Sequence, residues 1–193
     1  MADTPAGSAP YPRELERTVR LANGAVVRLR PIRPDDAPRL VALYGRLSQH
    51  TAYHRFFTVL KRLPPDWAKV FATVDFRHRL AIVAERETPA GPEIIGVGRY
   101  EPIDGDDAVE VAFVVEDGWQ GRGLGPMLLD AVVRAGEARG VRRFRAYVLA
   151  DNPRMLKLLA RHTDVVERRL EDGVVSLLFR ARSDESSATA ASP

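Results

Sequence analysis

The sequence contains no cysteine and very little lysine, and each shortage excludes a class of protein. Without cysteine, the chain forms no disulfide, no thiolate metal site and no cysteine nucleophile. Its 29 basic residues against 26 acidic ones give a net charge of +3, and only Lys61, Lys69 and Lys157 are lysines. Because the arginines are spread along the chain and form no basic stripe, we do not expect nucleic acid as a partner.

Long apolar runs are also missing. No run approaches the roughly 18 residues that a membrane-spanning helix needs, and the first twelve positions lack the basic and apolar regions of a signal peptide. We therefore expect a cytoplasmic protein with no membrane partner. His50 and His54 stand four residues apart, but no third ligand is evident near them, so we expect no metal.

The composition that remains is typical of one globular domain. The chain has 193 residues, of which 45% are hydrophobic and 28% charged, enough for a single core. Residues 1–16 are rich in Ala, Pro, Gly and Ser and predict a disordered segment, and residues 183–193 predict a disordered tail. The interval 17–182 shows neither a repeat nor a linker, so we assign it to one domain.

Hydrophobic periodicity within that domain predicts an α/β fold of the mixed α+β type. Asn23-Gly24 and Asp172-Gly173 are hairpin turn signals. We expect a central, mostly antiparallel twisted sheet of about seven strands with helices on both faces. The segments with strand character are 18–21, 25–32, 80–85, 94–101, 108–115, 143–149, 165–170 and 174–181, and helical segments follow residues 34, 64, 125 and 152.

The most informative segment is the glycine-rich stretch 120–125, which lies between an apolar strand and a helix. Glycine allows a tight turn and a close approach of the backbone to a ligand. The free N–H groups of such a turn converge where the helix dipole is positive, which favours phosphate. A dinucleotide motif would place its last glycine at Pro126, and no P-loop tripeptide exists. A tight turn without a ligand is the alternative.

The pattern Q-x-x-G-x-G of this stretch resembles the pyrophosphate signature of the GNAT acetyltransferase superfamily. The element order over residues 17–181 is similar to the GNAT fold. A narrower resemblance, to Pat-type bacterial protein lysine acetyltransferases, rests on Arg28 to Asp36, Leu47-Ser48, Tyr53 and Arg55 to Phe57. The resemblance implies acetyl-CoA as co-substrate and a protein lysine as acceptor, in a monomer or homodimer. One alternative is that the acceptor is a small-molecule amine. Another is that the protein is a non-catalytic module that binds acyl-CoA.

Glu110 is the candidate catalytic residue, because it is the one carboxylate in the apolar run 108–115. An alkylammonium has a pKa near 10.4 and cannot attack until it loses a proton. A carboxylate whose pKa is raised by apolar surroundings can take that proton, and the family often has an acidic base at this strand position. An ion pair with Arg99 on a neighbouring strand is the alternative.

The resemblance also implies a set of cofactor-binding residues. In the family, the strand before the turn pairs its main chain with the pantetheine arm. Asn152 contacts pantetheine, caps the following helix, or does both. Tyr53 and Arg55 either line the acceptor side of the site or contribute to helix packing. Leu159 occupies the position at which the family usually has a tyrosine that acts as the general acid. The thiolate therefore leaves unprotonated or takes a proton from water. The implied cofactor-binding residues are Phe113, Val114, Val115, Gln120, Gly121, Arg122, Gly123, Leu124, Gly125 and Asn152.

Overall fold

The structure is a computed structural model that describes residues 9–182. Its centre is one eight-stranded sheet with the order β1-β2-β3-β4-β5-β6-β8-β7. Every neighbouring pair is antiparallel except β5 and β6, which are parallel. The mostly antiparallel sheet is confirmed, with eight strands where about seven were expected. The strands are β1 (Arg17–Arg20), β2 (Val26–Pro31), β3 (Leu80–Arg86), β4 (Glu93–Pro102), β5 (Val109–Val115), β6 (Phe144–Leu149), β7 (Thr163–Glu171) and β8 (Val174–Ala181).

Five helices cover the two faces of the sheet within the described residues. They are α1 (Ala37–Arg46), α2 (Gln49–Phe56), α3 (Pro65–Ala72), α4 (Leu124–Glu137) and α5 (Pro153–His162). Helices α4 and α5 bury one core, around Leu128, Val132 and Leu159, and α1 and α3 bury a second core on the opposite face, around Leu40 and Leu43. No helix among the described residues combines the length and the apolar character that a membrane crossing requires.

Helix α2 is absent from the sequence expectation, which treats residues 49–58 as irregular. Of its eight residues only Ala52 is buried, so it lacks the apolar stripe by which a helix is recognised. Its start is fixed by Ser48, whose side chain accepts the Thr51 N–H at 3.1 Å, and Phe57 ends it in the left-handed conformation. Capping rather than burial therefore defines this helix.

Residues 9–16 differ from the disorder expected for segment 1–16. A short 3₁₀ turn runs over Arg13–Leu15. The Tyr11 hydroxyl lies 3.1 Å from the Pro31 carbonyl oxygen and 3.0 Å from the Glu16 carboxylate, which holds this stretch against β2. Residues 1–8 and the tail 183–193 lie outside the described residues, so the predicted domain boundaries stay predictions.

Part of the upstream motif forms a buried ion cluster. Arg30 donates to both oxygens of Asp36, at 2.7 and 2.8 Å, and its Nε donates to Glu85 at 2.9 Å. All three residues are buried. Burial alone would lower the pKa of Arg30, but the two carboxylates outweigh it and hold that pKa above its usual value. The cluster ties the start of α1 to β2 and β3, a structural role.

Candidate active site

The candidate site is a gap between the parallel strands β5 and β6. Their ladder holds only the pairs Val109↔Phe144 and Glu110↔Arg145, whereas β5 continues to pair with β4 as far as Val115. Beyond Glu110 the two strands therefore diverge. A cleft of about 1290 Å³ opens there, bordered by β5, β6, α2, the glycine-rich turn and α5.

The main chain of β5 presents alternate residues to this gap. Val109 donates its N–H to a carbonyl just before β6, at 3.1 Å, and Glu116 donates its N–H to a carbonyl of β4, at 2.9 Å. Because hydrogen-bonding direction alternates along a strand, the main-chain groups of Phe113 and Val115 face the gap. Those of Val114 face β4, so this predicted residue is available to a ligand in the cleft through its side chain only.

The glycine-rich turn closes one end of the cleft. Gly121 and Gly123 have φ of +74° and +90°, which only glycine adopts at little cost. Gly123 immediately precedes α4 and has no capping side chain, so the first N–H groups of the helix have no intrahelical partner. At Gly125 a Cβ would come within 2.9 Å of Leu158, so its role is the packing of α4 on α5.

Two details of the turn differ from expectation, the position of Pro126 in α4 and the placement of the Arg122 side chain. Pro126 is the third residue of α4 rather than the first. The Arg122 guanidinium lies over the Trp119 ring, 5.2 Å from its centroid, and the Leu124 side chain is 1% exposed in the core. Leu124 is thus available to a ligand through its main chain only. The predicted cofactor-binding residues that line the cleft are Phe113, Val114, Val115, Gln120, Gly121, Gly123, Gly125 and Asn152.

The side chain of Gln120 joins three walls of the cleft. Its Nε2 donates to the Val115 carbonyl at 2.9 Å and to Thr51 Oγ1 at 3.2 Å. Its Oε1 accepts from Arg154 Nη1 at 2.7 Å. Gln120 therefore fixes the turn relative to β5, α2 and α5, and it occupies the Val115 carbonyl, which leaves the N–H of that residue facing the gap.

Polar contacts hold α2 over the cleft, and sequence reasoning missed them. Asp117 accepts the N–H of Ser48 at 2.9 Å and the hydroxyls of Ser48 and Thr51 at 2.7 Å each. Burial raises the pKa of Asp117, but these donors outweigh it and leave that pKa lowered. His54 Nε2 lies 3.1 Å from Asp151 Oδ1 on the β6–α5 loop. Helix α2 thus contacts both sides of the gap.

The cleft wall formed by α5 is basic. Asn152 accepts the Met155 N–H at 3.1 Å, so its capping role is present while the residue also lines the cleft. The α5 residues Arg154, Lys157 and Arg161 line the same wall. Leu159, where the family usually has tyrosine, is fully buried. This arrangement favours an anionic ligand along α5.

Glu110 lies where β5 and β6 begin to diverge. The carboxylate is exposed, whereas the apolar strand pattern suggested burial, because β6 turns away beyond it. It forms no hydrogen bond or ion pair with another described residue, and Arg99 pairs with Glu101 instead. Partial desolvation raises the pKa of Glu110; Arg55 and Arg99 oppose this rise and Glu101 adds to it. An exposed, unpaired carboxylate with a raised pKa is suited to accept a proton.

The two candidate acceptor residues separate in the structure. Arg55 lines the cleft, with its guanidinium 5.0 Å from the centroid of the Phe56 ring. Tyr53 is 42% exposed and lies outside the described lining of the cleft. Among the described residues, no group of three or more His, Asp or Glu side chains is arranged to hold a metal ion.

Comparisons with known proteins identify relatives of this chain by sequence. A sequence profile of the family described as "Acetyltransferase (GNAT) domain" matches residues 27–162. The acetyltransferase Pat of Mycolicibacterium smegmatis is 34% identical over 143 residues, which are 74% of this chain and 42% of that protein. The chain thus spans less than half the length of this relative.

Solved structures show the same fold. The GNAT domain of the S. lividans protein PAT is 37% identical, with a TM-score of 0.78 over 88% of this chain and 99% of that chain. A more distant likeness is yncA of Salmonella typhimurium, a putative acetyltransferase solved with its cofactor acetyl-CoA. It is 17% identical, with a TM-score of 0.61 over 82% of this chain and 95% of that one.

Proposed function

Because the chain belongs to the GNAT acetyltransferase family, we propose that it transfers an acetyl group from acetyl-CoA to a primary amine, and that this amine is a protein lysine. The observation that supports the transfer most directly is the divergence of β5 and β6, which joins the glycine-rich turn and Glu110 in one cleft. The choice of lysine rests on the similarity to Pat and to the S. lividans domain.

The cleft fits the parts of acetyl-CoA in order. The free N–H groups of the turn and of the start of α4 suit the pyrophosphate, and Arg154, Lys157 and Arg161 add positive charge for the phosphates. The main-chain groups of Phe113 and Val115 that face the gap suit the amides of pantetheine. Acetyl-CoA supplies the activated thioester, as the yncA structure illustrates for that protein's cofactor.

Two groups of the chain carry the chemistry. Glu110 accepts the proton of the acceptor ammonium, directly or through one water, and so generates a nucleophilic amine. The Phe113 N–H faces the gap and donates to the oxygen on which negative charge develops. Since Leu159 is apolar and buried, the leaving thiolate takes its proton from water, which its ordinary pKa of about 8.5 permits.

A thiol-release assay with a panel of amines and proteins tests this proposal. We expect the wild type to release CoA thiol, Glu110→Gln to lose most of the rate while still binding acetyl-CoA, and Glu171→Gln, on the exposed edge strand β7, to match the wild type. Full activity of Glu110→Gln at every pH would refute the assignment of the base.

The acceptor is tested by mass spectrometry of a cell lysate incubated with labelled acetyl-CoA and the protein. Label on lysines supports a protein acceptor, and label in small amines alone shows the small-molecule alternative. The burial of Leu159 favours a second candidate, an acyl-CoA-binding module without catalysis. That candidate is correct if the wild type binds acetyl-CoA but releases no thiol with any acceptor.

A further inference from the structure

A small side pocket opens beside the cleft, on the face of the sheet that carries α1 and α3. Its volume is about 40 Å³. Arg55, Phe56 and Val114 line both the cleft and this pocket, so the two spaces adjoin. The remaining wall comes from α1, α3, β4 and the loop before α3, and consists of Leu40, Leu43, Tyr44, Leu47, Leu63, Phe71, Val97 and Arg99.

The only charged residues that line the side pocket are two arginines. Arg99 is 6% exposed, and its guanidinium pairs with Glu101, but its Nε has no hydrogen-bond partner among the described residues. Arg55 stacks on Phe56 and forms no hydrogen bond or ion pair with a described residue. A buried donor without an acceptor, such as Arg99 Nε, is unfavourable and uncommon. The pocket therefore suits a ligand group that only accepts hydrogen bonds.

The electrostatics of the side pocket point the same way. Burial lowers the pKa of Arg55 to about 10; the neighbouring Arg99 acts in the same direction, and Glu110 and Glu101 oppose it. The Arg55 guanidinium remains positive at neutral pH, since this value is still well above 7. Glu101 pairs with Arg99, whereas Arg55 has no ion-pair partner among the described residues, so an anion beside Arg55 would offset the repulsion that remains between the two cations.

We propose that the side pocket binds the terminal carboxylate of a dicarboxylic acyl group, so that the site takes malonyl-CoA or succinyl-CoA as well as acetyl-CoA. This inference rests on the proposed function. Since one water needs about 10–15 Å³ of such volume, the pocket holds about three water-sized atoms, as many as a carboxylate contains. Val114, which borders the pocket, directly follows Phe113, whose N–H faces the thioester position.

The transfer keeps its chemical balance with such an acyl group. The amine nitrogen bonds to the thioester carbon as the carbon–sulfur bond breaks, and the electron pair of that bond leaves on sulfur. Glu110 takes the proton of the ammonium before the attack, and the proton that the nitrogen loses on acylation passes through water to the leaving thiolate. The terminal carboxylate takes no part in the bond changes, and the two arginines only position it.

Calorimetric titration of the full chain with acetyl-CoA, butyryl-CoA and succinyl-CoA tests this inference. Butyryl and succinyl chains have the same length and differ in the terminal carboxylate. We expect wild-type protein to bind succinyl-CoA about tenfold more tightly than butyryl-CoA. Arg55→Met should remove that advantage while changing butyryl-CoA affinity less than twofold, and Arg55→Lys should retain part of it. The matched control Arg62→Met removes an exposed arginine outside the pocket and should keep the advantage.

Equal affinity of the wild type for succinyl-CoA and butyryl-CoA would overturn the inference and leave a water-filled cavity only. An equal loss for both ligands in Arg55→Met would also overturn it, since that change would reflect general damage. Acetyl-CoA separates the two failures. If acetyl-CoA binds and succinyl-CoA has no advantage, only this inference is wrong, and if no acyl-CoA binds, the proposed function is wrong as well.

Discussion

At the scale of single residues, Glu110 carries the sharpest functional prediction. Because only the deprotonated carboxylate accepts a proton, we expect the wild-type rate to rise with pH through a pKa above the usual value for glutamate. Glu110→Gln should lower kcat by about 100-fold or more and remove this rise. Steady-state rates across pH, with saturating acetyl-CoA, measure both effects, and an unchanged pH profile in the variant would contradict the role.

The same substitution has a consequence for stability. A carboxylate whose pKa is raised in the folded state binds its proton more tightly there, so its contribution is present at low pH and is lost as pH rises through the raised value. We therefore expect Glu110→Gln to have a Tm at pH 8 equal to or above that of the wild type, with the difference vanishing near pH 4. Thermal unfolding across this range measures it, and a lower Tm of the variant at pH 8 would be inconsistent with the raised pKa.

The buried cluster around Arg30 yields a prediction about stability alone. Asp36→Ala leaves the buried guanidinium without its bidentate partner and should lower the free energy of unfolding by about 3–5 kcal/mol. Asp35→Ala, at an exposed neighbouring position, should change it by no more than about 0.5 kcal/mol. Urea unfolding of both variants measures the contrast, and similar losses in the two would argue against the cluster's role.

Sequence reasoning predicted which residues line the cleft better than it predicted their surroundings. Glu110 and the glycine-rich turn were recognised because a carboxylate in an apolar run and a strand–glycine–helix order are local patterns. The exposure of Glu110 could not be predicted from the neighbouring sequence, because it depends on the point at which β6 stops pairing with β5. For the same reason the motif alone did not show that Arg122 stacks on Trp119.

At the scale of elements, the attachment of α2 is the feature to test. Asp117→Asn removes the charge that accepts three donors from the start of α2. Because Asp117 is exposed, we expect a loss of about 1 kcal/mol, which corresponds to roughly fivefold faster amide hydrogen exchange in residues 49–56. Since the pKa of Asp117 is lowered, this contribution is present at neutral pH and lost in acid.

Asp66→Asn is the control for this element, because Asp66 is an exposed carboxylate in the first turn of α3. We expect its exchange in residues 49–56 to match the wild type. Unchanged exchange in Asp117→Asn would mean that α2 is held by other contacts, such as that between His54 and Asp151.

The elements that the sequence predicted well are those with an apolar pattern of their own. The stripe of α4, with Leu124, Leu128 and Val132, is buried as expected, and the turn at Asp172 adopts positive φ. Helix α2 was missed because polar contacts with Asp117, distant in sequence, hold it in place. The residues themselves did not predict the divergence of β5 and β6, because the sequence of an apolar strand is the same whether or not its neighbour pairs with it along its whole length.

At the scale of the whole molecule, the cleft lies between strands β1–β5 and strands β6–β8, and acetyl-CoA bound there as proposed would contact both parts of the sheet. A ligand that binds only the folded state stabilises it by about 2.7 kcal/mol at 100 times its Kd. We expect acetyl-CoA to raise the Tm accordingly and to slow amide exchange in residues 120–125 and at Phe113. Stabilisation without protection of these amides would place the ligand elsewhere.

The order of the strands also bears on how the chain is made. Strands β1 to β5 lie side by side in the order in which they are synthesised. Each of these strands can therefore pair with the strand before it as soon as it is released from the ribosome. Only two register pairs connect this meander to β6, and β6 to β8 emerge last. The nascent protein can therefore form strands β1 to β5 early, and the cleft between β5 and β6 forms only after the final forty or so described residues have been synthesised.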